Sequence, residues 1–349
     1  MKMTTLAMAV ATTFLASTSA FAAQVYSGDG TTLSVGGYVD VGVGERGAIY
    51  SDPNFEVHQI SPRLNVEGKK EIGNGVTVDA KGEWAINYLD GGNTSFTTRL
   101  GYMGVSHDQA GRLVVGTQWA PYYDVAGVAD KPIAFANDFL YGTNFNQLGS
   151  ARAEKMVSYR NTLRVSEDVA FNIGLGWQGE TSDEKITPSS GNGLVTYTRS
   201  SADYDDRAQI AISTEFAGFG LGYVYNGGDV DNEKARSHVF AGKYGTYGNG
   251  LYIALVYGDN ENFYNGLEES KQYEAVGAFG LDNGLNIILN YEAVEDDKND
   301  KTQFSQSAIQ LEYTVASGLV AFAGYQFDLG NDINKNEDDQ YSVGARYFF

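Results

Sequence analysis

The chain has 349 residues, of which 43 are glycine and 24 are tyrosine, and it contains no cysteine. Its 24 Lys and Arg residues against 44 Asp and Glu residues give a formal net charge of −20, which argues against nucleic-acid binding because phosphates are bound through Lys and Arg. The absence of cysteine excludes a disulfide scaffold, a thiolate nucleophile and a cysteine-built zinc site.

The first 22 residues have the pattern of a cleaved export signal. Lys2 supplies the positive charge, an apolar run follows, and Ala20-Phe21-Ala22 resembles a cleavage site. An apolar run of about a dozen residues is too short to cross ~30 Å of hydrocarbon as a helix. We therefore expect a signal peptide over 1–22 and a mature domain over 23–349.

Apolar and polar residues alternate along most of the mature chain. In the window 168–178, every odd-numbered position from Val169 to Trp177 is apolar, and windows 286–293 and 308–315 show the same alternation. A period of two with one apolar face predicts β-strands that lie between two different media. We expect sixteen such strands, which start near residues 33, 57, 76, 97, 112, 152, 168, 204, 218, 236, 250, 271, 284, 303, 318 and 340.

The connections between these strands alternate in length. Short connections such as 71–75 and 281–284 contain Asn-Gly pairs, which supply the positive φ of tight hairpins. An even strand number with short turns at one end and long loops at the other is typical of an outer-membrane barrel. The sequence thus predicts an all-β fold, a sixteen-stranded antiparallel transmembrane β-barrel. Long polar loops are expected at 46–56, 89–95, 120–151, 179–203, 227–235, 258–270, 294–302 and 328–340.

Several segments together resemble one protein family. The chain ends in a strand with a terminal Phe349, as bacterial outer-membrane barrels do, and it contains Ser34–Asp40, Arg99–Val105 and Val115–Trp119 in that order. Over essentially its whole mature length the chain resembles the general diffusion porins of Gram-negative bacteria. The resemblance implies an outer-membrane homotrimer with short periplasmic turns, an inward-folded third external loop, and passive passage of ions and small hydrophilic solutes.

Candidate pore residues on the barrel wall are basic. Alternation against apolar neighbours points Arg63, Arg99 and Lys81 into the lumen, and Arg152 shares its parity with Arg160. By resemblance, Arg63, Arg99 and Arg152 match the basic cluster that the family places at its constriction. Lys81 is a fourth candidate for this basic wall.

Candidate acidic residues lie in the third loop, 120–151. Asp130 matches the family's loop carboxylate by resemblance, and Asp124 and Asp138 are further loop acids. Where the resemblance places a second acid, this chain has Ala134, and we expect Asp138 to replace that acid. Opposed charges across a narrow aqueous gap would create a transverse field that orders water and orients dipolar solutes.

The remaining external loops are strongly acidic. The five loops from 179–203 onward contain twenty Asp or Glu and six Lys or Arg residues, so we expect a preference for cations. These acids could contact outer-membrane lipid and lipopolysaccharide through divalent cations, but no segment has calcium-loop spacing. Neither a catalytic motif nor a metal or cofactor site is expected, and an enzyme is therefore disfavoured. Two alternatives stay open: a solute-selective channel of the sugar type, and an adhesin or receptor barrel that uses its loops.

Overall fold

A computed structural model describes residues 22–46, 54–89, 96–135, 140, 144–166, 169–191, 194–264, 266–333, 335 and 338–349. For residues 183–191 and 194–201 it describes the backbone alone. The expected signal peptide lies outside the described residues, apart from Ala22, and stays a prediction.

The described residues form one antiparallel sheet of twenty strand segments, with two short helices in the third external loop. The strands are β1 (Ala23–Gly28), β2 (Thr31–Arg46), β3 (Asn54–His58), β4 (Arg63–Gly73), β5 (Val76–Ile86), β6 (Phe96–His107), β7 (Gly111–Trp119), β8 (Arg152–Arg164), β9 (Val169–Gln178), β10 (Thr181–Gly191), β11 (Leu194–Tyr204), β12 (Arg207–Phe216), β13 (Phe219–Val230), β14 (Glu233–Thr246), β15 (Asn249–Tyr264), β16 (Leu267–Gly280), β17 (Leu285–Asp296), β18 (Lys301–Ala316), β19 (Leu319–Asp328) and β20 (Gln340–Phe348). The helices are α1 (Pro121–Ala126) and α2 (Phe145–Leu148).

These segments make a closed barrel of sixteen strands, because four of the barrel strands are each built from two segments. β3 and β4 follow one another along the same edge of β2, and β20 and β1 do so along its other edge. β9 continues into β10, and β11 continues into β12. The predicted strand number and fold class are confirmed.

Several segments expected to be long loops are strand pairs instead. The segment 179–203 forms most of the hairpin β10–β11, and the turns after β13 and β17 are confined to 231–232 and 297–300. Outside the hydrocarbon the outer face of a hairpin need not be apolar, so backbone pairing continues without the apolar alternation that marks a strand in the sequence. The expectation of long loops at 227–235, 258–270 and 294–302 is therefore wrong in the same way.

The two faces of the barrel wall differ in polarity as the alternation predicts. On β15, Leu255 is well exposed on the outer surface, whereas Val256 and Asn260 are buried on the inner one. The inner surface is rich in buried polar residues such as Asn226 and Gln272. Among the described residues, no helix is long and apolar enough to cross a membrane.

The barrel closes where its last residue meets β2. The backbone groups of Gly37 and Phe349 exchange two hydrogen bonds of 3.1 Å. Gly37 has φ +152°, and a Cβ at this position would lie 2.1 Å from the carbonyl oxygen of Arg63. The residue at this position must therefore be glycine, because β4 approaches it closely and its φ is one that other residues rarely adopt.

We expect Gly37→Val to prevent closure, because the added side chain would separate β2 from β4. The measurement is the heat-dependent shift of the folded band in electrophoresis, which should be absent for this variant. Gly101→Val is the matched control, since a Cβ at Gly101 meets nothing within 4 Å. A normal folded band for Gly37→Val would contradict the expectation.

Candidate functional site

The third external loop enters the lumen through helix α1. Pro121 starts this helix directly after β7, in the first-turn position that proline favours. The helix packs on wall positions occupied by glycine: a Cβ at Gly174 would lie 3.1 Å from Pro121, and one at Gly222 would lie 3.0 Å from Val125. Glycine at these wall positions lets the helix lie close against β9 and β13.

Polar contacts anchor the first half of the loop. The backbone N–H of Tyr122 donates to Oε1 of Gln209 at 3.0 Å, and the Tyr122 hydroxyl lies 2.9 Å from Oγ of Ser237. The hydroxyl of Tyr252 donates to the carbonyl of Val128 at 2.6 Å. These bonds run from β12 to β15, so the loop follows the inner wall across several strands.

The loop then reaches β18. The backbone N–H of Ile133 donates to Oε1 of Glu312 at 2.8 Å. Phe135 donates through its N–H to Oε1 of Gln310 at 2.9 Å and accepts from Nε2 of the same side chain at 2.6 Å. The third loop therefore lies inside the barrel, as expected, and follows its inner wall as far as β18.

An apolar cluster fixes the loop to the wall. Loop side chains and inward-facing wall side chains are buried together, which removes apolar area from the lumen water and stabilises the loop in place. The cluster includes Tyr122, Val125, Ala126, Ala129, Leu140 and Leu148 of the loop with Val224, Val239, Tyr252, Val276 and Ile288 of the wall.

Three of the basic candidates surround one carboxylate, that of Glu83 on β5. Oε1 of Glu83 lies 3.0 Å from Nε of Arg99 and 3.7 Å from Nη1 of Arg63. Its Oε2 lies 3.8 Å from Nζ of Lys81. The carboxylate is almost fully buried, whereas each cation remains partly exposed to the lumen. Sequence reasoning missed Glu83, although it shares the inward parity of Lys81 two positions earlier.

Arg99 reaches Glu83 for a reason that the alternation does not contain. The register shifts at this point: Glu83 pairs with Leu100 and Trp84 pairs with Thr98, so Arg99 has no partner in the ladder. A β-bulge of this kind redirects a side chain. Leu100 is consequently buried, and the centre of the Tyr102 ring lies 5.9 Å from Cζ of an inward-facing arginine, Arg112.

A further basic residue, Arg346 on β20, extends the wall. Its Nη2 lies 2.9 Å from Oδ2 of Asp40, and its Cζ lies 4.2 Å from the centre of the Tyr38 ring. The Cζ of Arg63 lies 4.7 Å from the centre of the same ring. Tyr38 thus joins the Arg346–Asp40 pair to the Glu83 group. The alternation Ser342, Gly344, Arg346 of the last strand was the signal that could have found it.

Arg152 lies against the third loop. Its Cζ is 4.7 Å from the centre of the Phe145 ring in α2 and 5.7 Å from that of Trp119. Among the described ion pairs, those of Glu83 do not include Arg152. Its expected role in the constriction stays a prediction.

The loop acids occupy different places. Asp124 in α1 forms an ion pair with Arg160, in which Nε and Oδ2 are 2.6 Å apart. Burial raises the pKa of the Asp124 carboxyl, and the Arg160 guanidinium opposes this effect. Asp130 accepts a hydrogen bond of 2.7 Å from the hydroxyl of Tyr123. Asp138 lies outside the described residues.

The structure explains why Ala134 stands where the family resemblance places a second acid. It is buried in a small apolar cluster with Phe135, Ala308 and Phe322, where the loop contacts β18 and β19. A carboxylate in this cluster would be desolvated among apolar side chains, at considerable cost. Among the residues that the structure describes, no group of His, Asp and Glu could hold a metal ion.

Comparison with known proteins identifies the family. A family model described as Gram-negative porin matches residues 5–349. The chain belongs to the Gram-negative porins. The family consists of outer-membrane diffusion channels rather than enzymes, and this porin accordingly lies in the outer membrane.

Individual relatives of this porin are distant but match it over its full length. It is 25% identical over 377 residues to outer membrane porin PhoE of Escherichia coli (strain K12), with 100% of both chains covered. Its fold matches Salmonella typhi OmpF in complex with daunomycin, with a TM-score of 0.76, 19% identity, and 94% and 100% of the two chains covered. It also matches a trimer form of OmpT from Vibrio cholerae, with a TM-score of 0.62, 15% identity, and 92% and 100% covered.

The close packing of helix α1 on Gly222 leads to a testable prediction. Gly222→Val should move α1 into the lumen, because the new side chain would overlap Val125. We expect a lower single-channel conductance in planar bilayers from a barrel that folds normally. Gly277→Val, where a Cβ meets nothing within 4 Å, is the control and should conduct as the parent does. An unchanged conductance for Gly222→Val would contradict this placement of the loop.

Proposed function

We propose that this porin passes ions and small hydrophilic solutes without a dedicated binding step, through a lumen narrowed by its third loop. The observation that carries this proposal is the group of Arg63, Lys81 and Arg99 around Glu83 on one wall, with the inward-folded loop seated on β9 to β18. Sixteen strands alone would leave a wide aqueous channel, so the loop sets the size limit.

The proposed selection is electrostatic. Basic side chains on β4, β5, β6 and β20 and acidic groups on the loop, Asp130 among them, create a field across the pore. Asp138 is proposed as a second loop acid. Arg152 is proposed to add to the basic side of the pore and Asp124 to the acidic side. The field orders water in the narrow section, so an apolar solute is excluded because its entry disrupts that water.

A cation preference is the finer part of this proposal, and it follows from the net charge of −20. At the outer ends of β15 and β17, Asp259, Glu261 and Glu295 share the outward face with Tyr257. These acids act on ions at the rim rather than in the lumen. We expect the preference to be modest and to fade at high salt, where the Debye length shrinks to ~3 Å at 1 M.

We also propose a homotrimer in contact with outer-membrane lipid and lipopolysaccharide. The likeness to the trimer form of OmpT supports the trimer. Contact with lipid headgroups is supported by outward-facing charges above Tyr257 and Tyr273. They include Lys271 and Asp297, whose Nζ and Oδ1 atoms are 2.5 Å apart. Divalent cations could join such carboxylates to lipid phosphates. Light scattering of the detergent-purified protein measures the number of chains in each particle and so tests the trimer. The same measurement with EDTA, which removes divalent cations, tests whether these cations hold lipid on the protein.

The primary test is conductance in planar bilayers with a salt gradient and added sugars. Ohmic steps in groups of three that sugars do not block would support the proposal, and a reversal potential toward the cation side would support the cation preference. Saturable block by one sugar would favour the solute-selective alternative. A folded barrel that does not conduct would favour the adhesin or receptor alternative.

Removing the carboxylate of Glu83 provides a residue-level test. Glu83→Gln leaves three cations around a neutral amide, so the chloride-to-potassium permeability ratio should rise about fourfold, since one charge at ~10 Å in water contributes ~0.4 kcal/mol with opposite sign for the two ions. Asp282→Asn, in the exposed short turn after β16 and at the opposite end of the barrel from Asp259 and Glu261, is the control and should leave the ratio nearly unchanged. Equal reversal potentials for parent and Glu83→Gln would exclude the Glu83 group from the narrow section.

A further inference from the structure

Arg207 is a buried cation that the proposed channel mechanism does not use. It is the first residue of β12, and only 2% of it is exposed. Its Nη1 donates to the carbonyl of Leu148 at 3.1 Å and to Oδ1 of Asn226 at 3.3 Å. Leu148 ends α2, so Arg207 lies where the third loop returns to the wall.

The other edge of this guanidinium has no described partner. Nε and Nη2 are both buried without a hydrogen bond to any described residue. The N–H bonds of these two nitrogens are parallel and point away from the same edge of the guanidinium. This edge of arginine binds anions bidentately. The described ion pairs do not include Arg207. In this it differs from five other inward-facing arginines, each of which has an acidic partner: Arg63, Arg99, Arg112, Arg160 and Arg346.

The surroundings of Arg207 supply no counter-charge at hydrogen-bond distance. Its Cζ lies 5.9 Å from the centre of the Phe263 ring, and its other close neighbours, Asn226 and Gln178, carry neutral amides. A buried charge with no counter-charge in contact is strongly unfavourable. Asp229 acts on Arg207 only from beyond hydrogen-bond distance. A water molecule could accept the two hydrogen bonds, but it would add no counter-charge.

We propose that Nε and Nη2 of Arg207 bind a small inorganic anion of the chloride class as a structural counter-ion. The burial of Arg207 limits the occupant to a small ion and separates the site from the permeation path. The ion would fix the orientation of the guanidinium and thereby the return of the third loop. The same turn is held by Nδ2 of Asn226, which donates to Leu148 at 2.6 Å, and by Nε2 of Gln209, which donates to Gly149 at 2.9 Å.

Crystals grown with sodium bromide in place of chloride test the site directly. The expected result is an anomalous bromide peak within hydrogen-bond distance of Nε and Nη2 of Arg207. A water molecule that bridges Arg207 to the buried, unpaired Oε1 of Gln178 would overturn the proposal. A carboxylate from the loop segments outside the described residues in that position would overturn it as well.

Thermal unfolding provides an independent readout that does not depend on conduction. At constant ionic strength and equal cation concentration, the Tm of the parent should be higher in chloride or bromide than in gluconate, which is too large for a closed site. Arg207→Met should lose this difference. Arg112→Met is the matched control and should retain it, because Arg112 has its own carboxylate, with Nη1 and Nη2 at 2.5 and 2.7 Å from Asp79.

Equal Tm values for the parent in the two salts, or an Arg207→Met variant that keeps the difference, would overturn the anion site. If Arg207→Met does not fold, Arg207→Lys retains the charge but lacks the two-nitrogen edge, and the bromide experiment on the parent still decides. A non-conducting barrel with a bromide peak would leave this inference standing while refuting the channel proposal.

Discussion

The pairing of backbone hydrogen bonds in a medium without water is the constraint on which this structure depends. In hydrocarbon every N–H and C=O must find a partner within the protein, so a sheet that crosses the membrane has to close on itself. β2 makes the closure possible, because β20 and then β1 pair along one of its edges. Once sixteen strands have closed, the lumen is too wide to select solutes, and the third loop has to supply the narrow section.

The loop and the basic wall solve two different physical problems. The loop keeps its place because its apolar side chains are buried against the wall and because glycines such as Gly174 and Gly222 allow close approach. The wall holds several like charges side by side because Glu83 and Asp40 lie between them. Fixed charges of this kind need little rearrangement when an ion arrives, so their field is available without an induced fit.

Alternation in the sequence predicts the strand number and most strand starts, because a membrane-facing strand must expose apolar residues at every second position. The same rule fails where its physical cause is absent. The hairpin at 179–203 continues the backbone pairing of β9 and β12 without an apolar alternation in its sequence, and the bulge at Arg99 shifts the parity of the residues around it. Contacts between distant segments, such as Phe135 with Gln310, depend on how the loop folds and leave no local pattern.

The last strand contributes to both closure and selection. The backbone that follows it ends in the hydrogen-bonded pair of Phe349 with Gly37. The Tyr38 ring contacts two side chains of this strand: Arg346 lies against it, and the centre of the Phe348 ring is 5.3 Å from its own centre. A barrel whose final strand has not yet docked would be open along one side and would also lack one guanidinium from its filter. Docking of the final strand therefore completes the wall and the charged group in one step, so every closed barrel carries this guanidinium in its lumen.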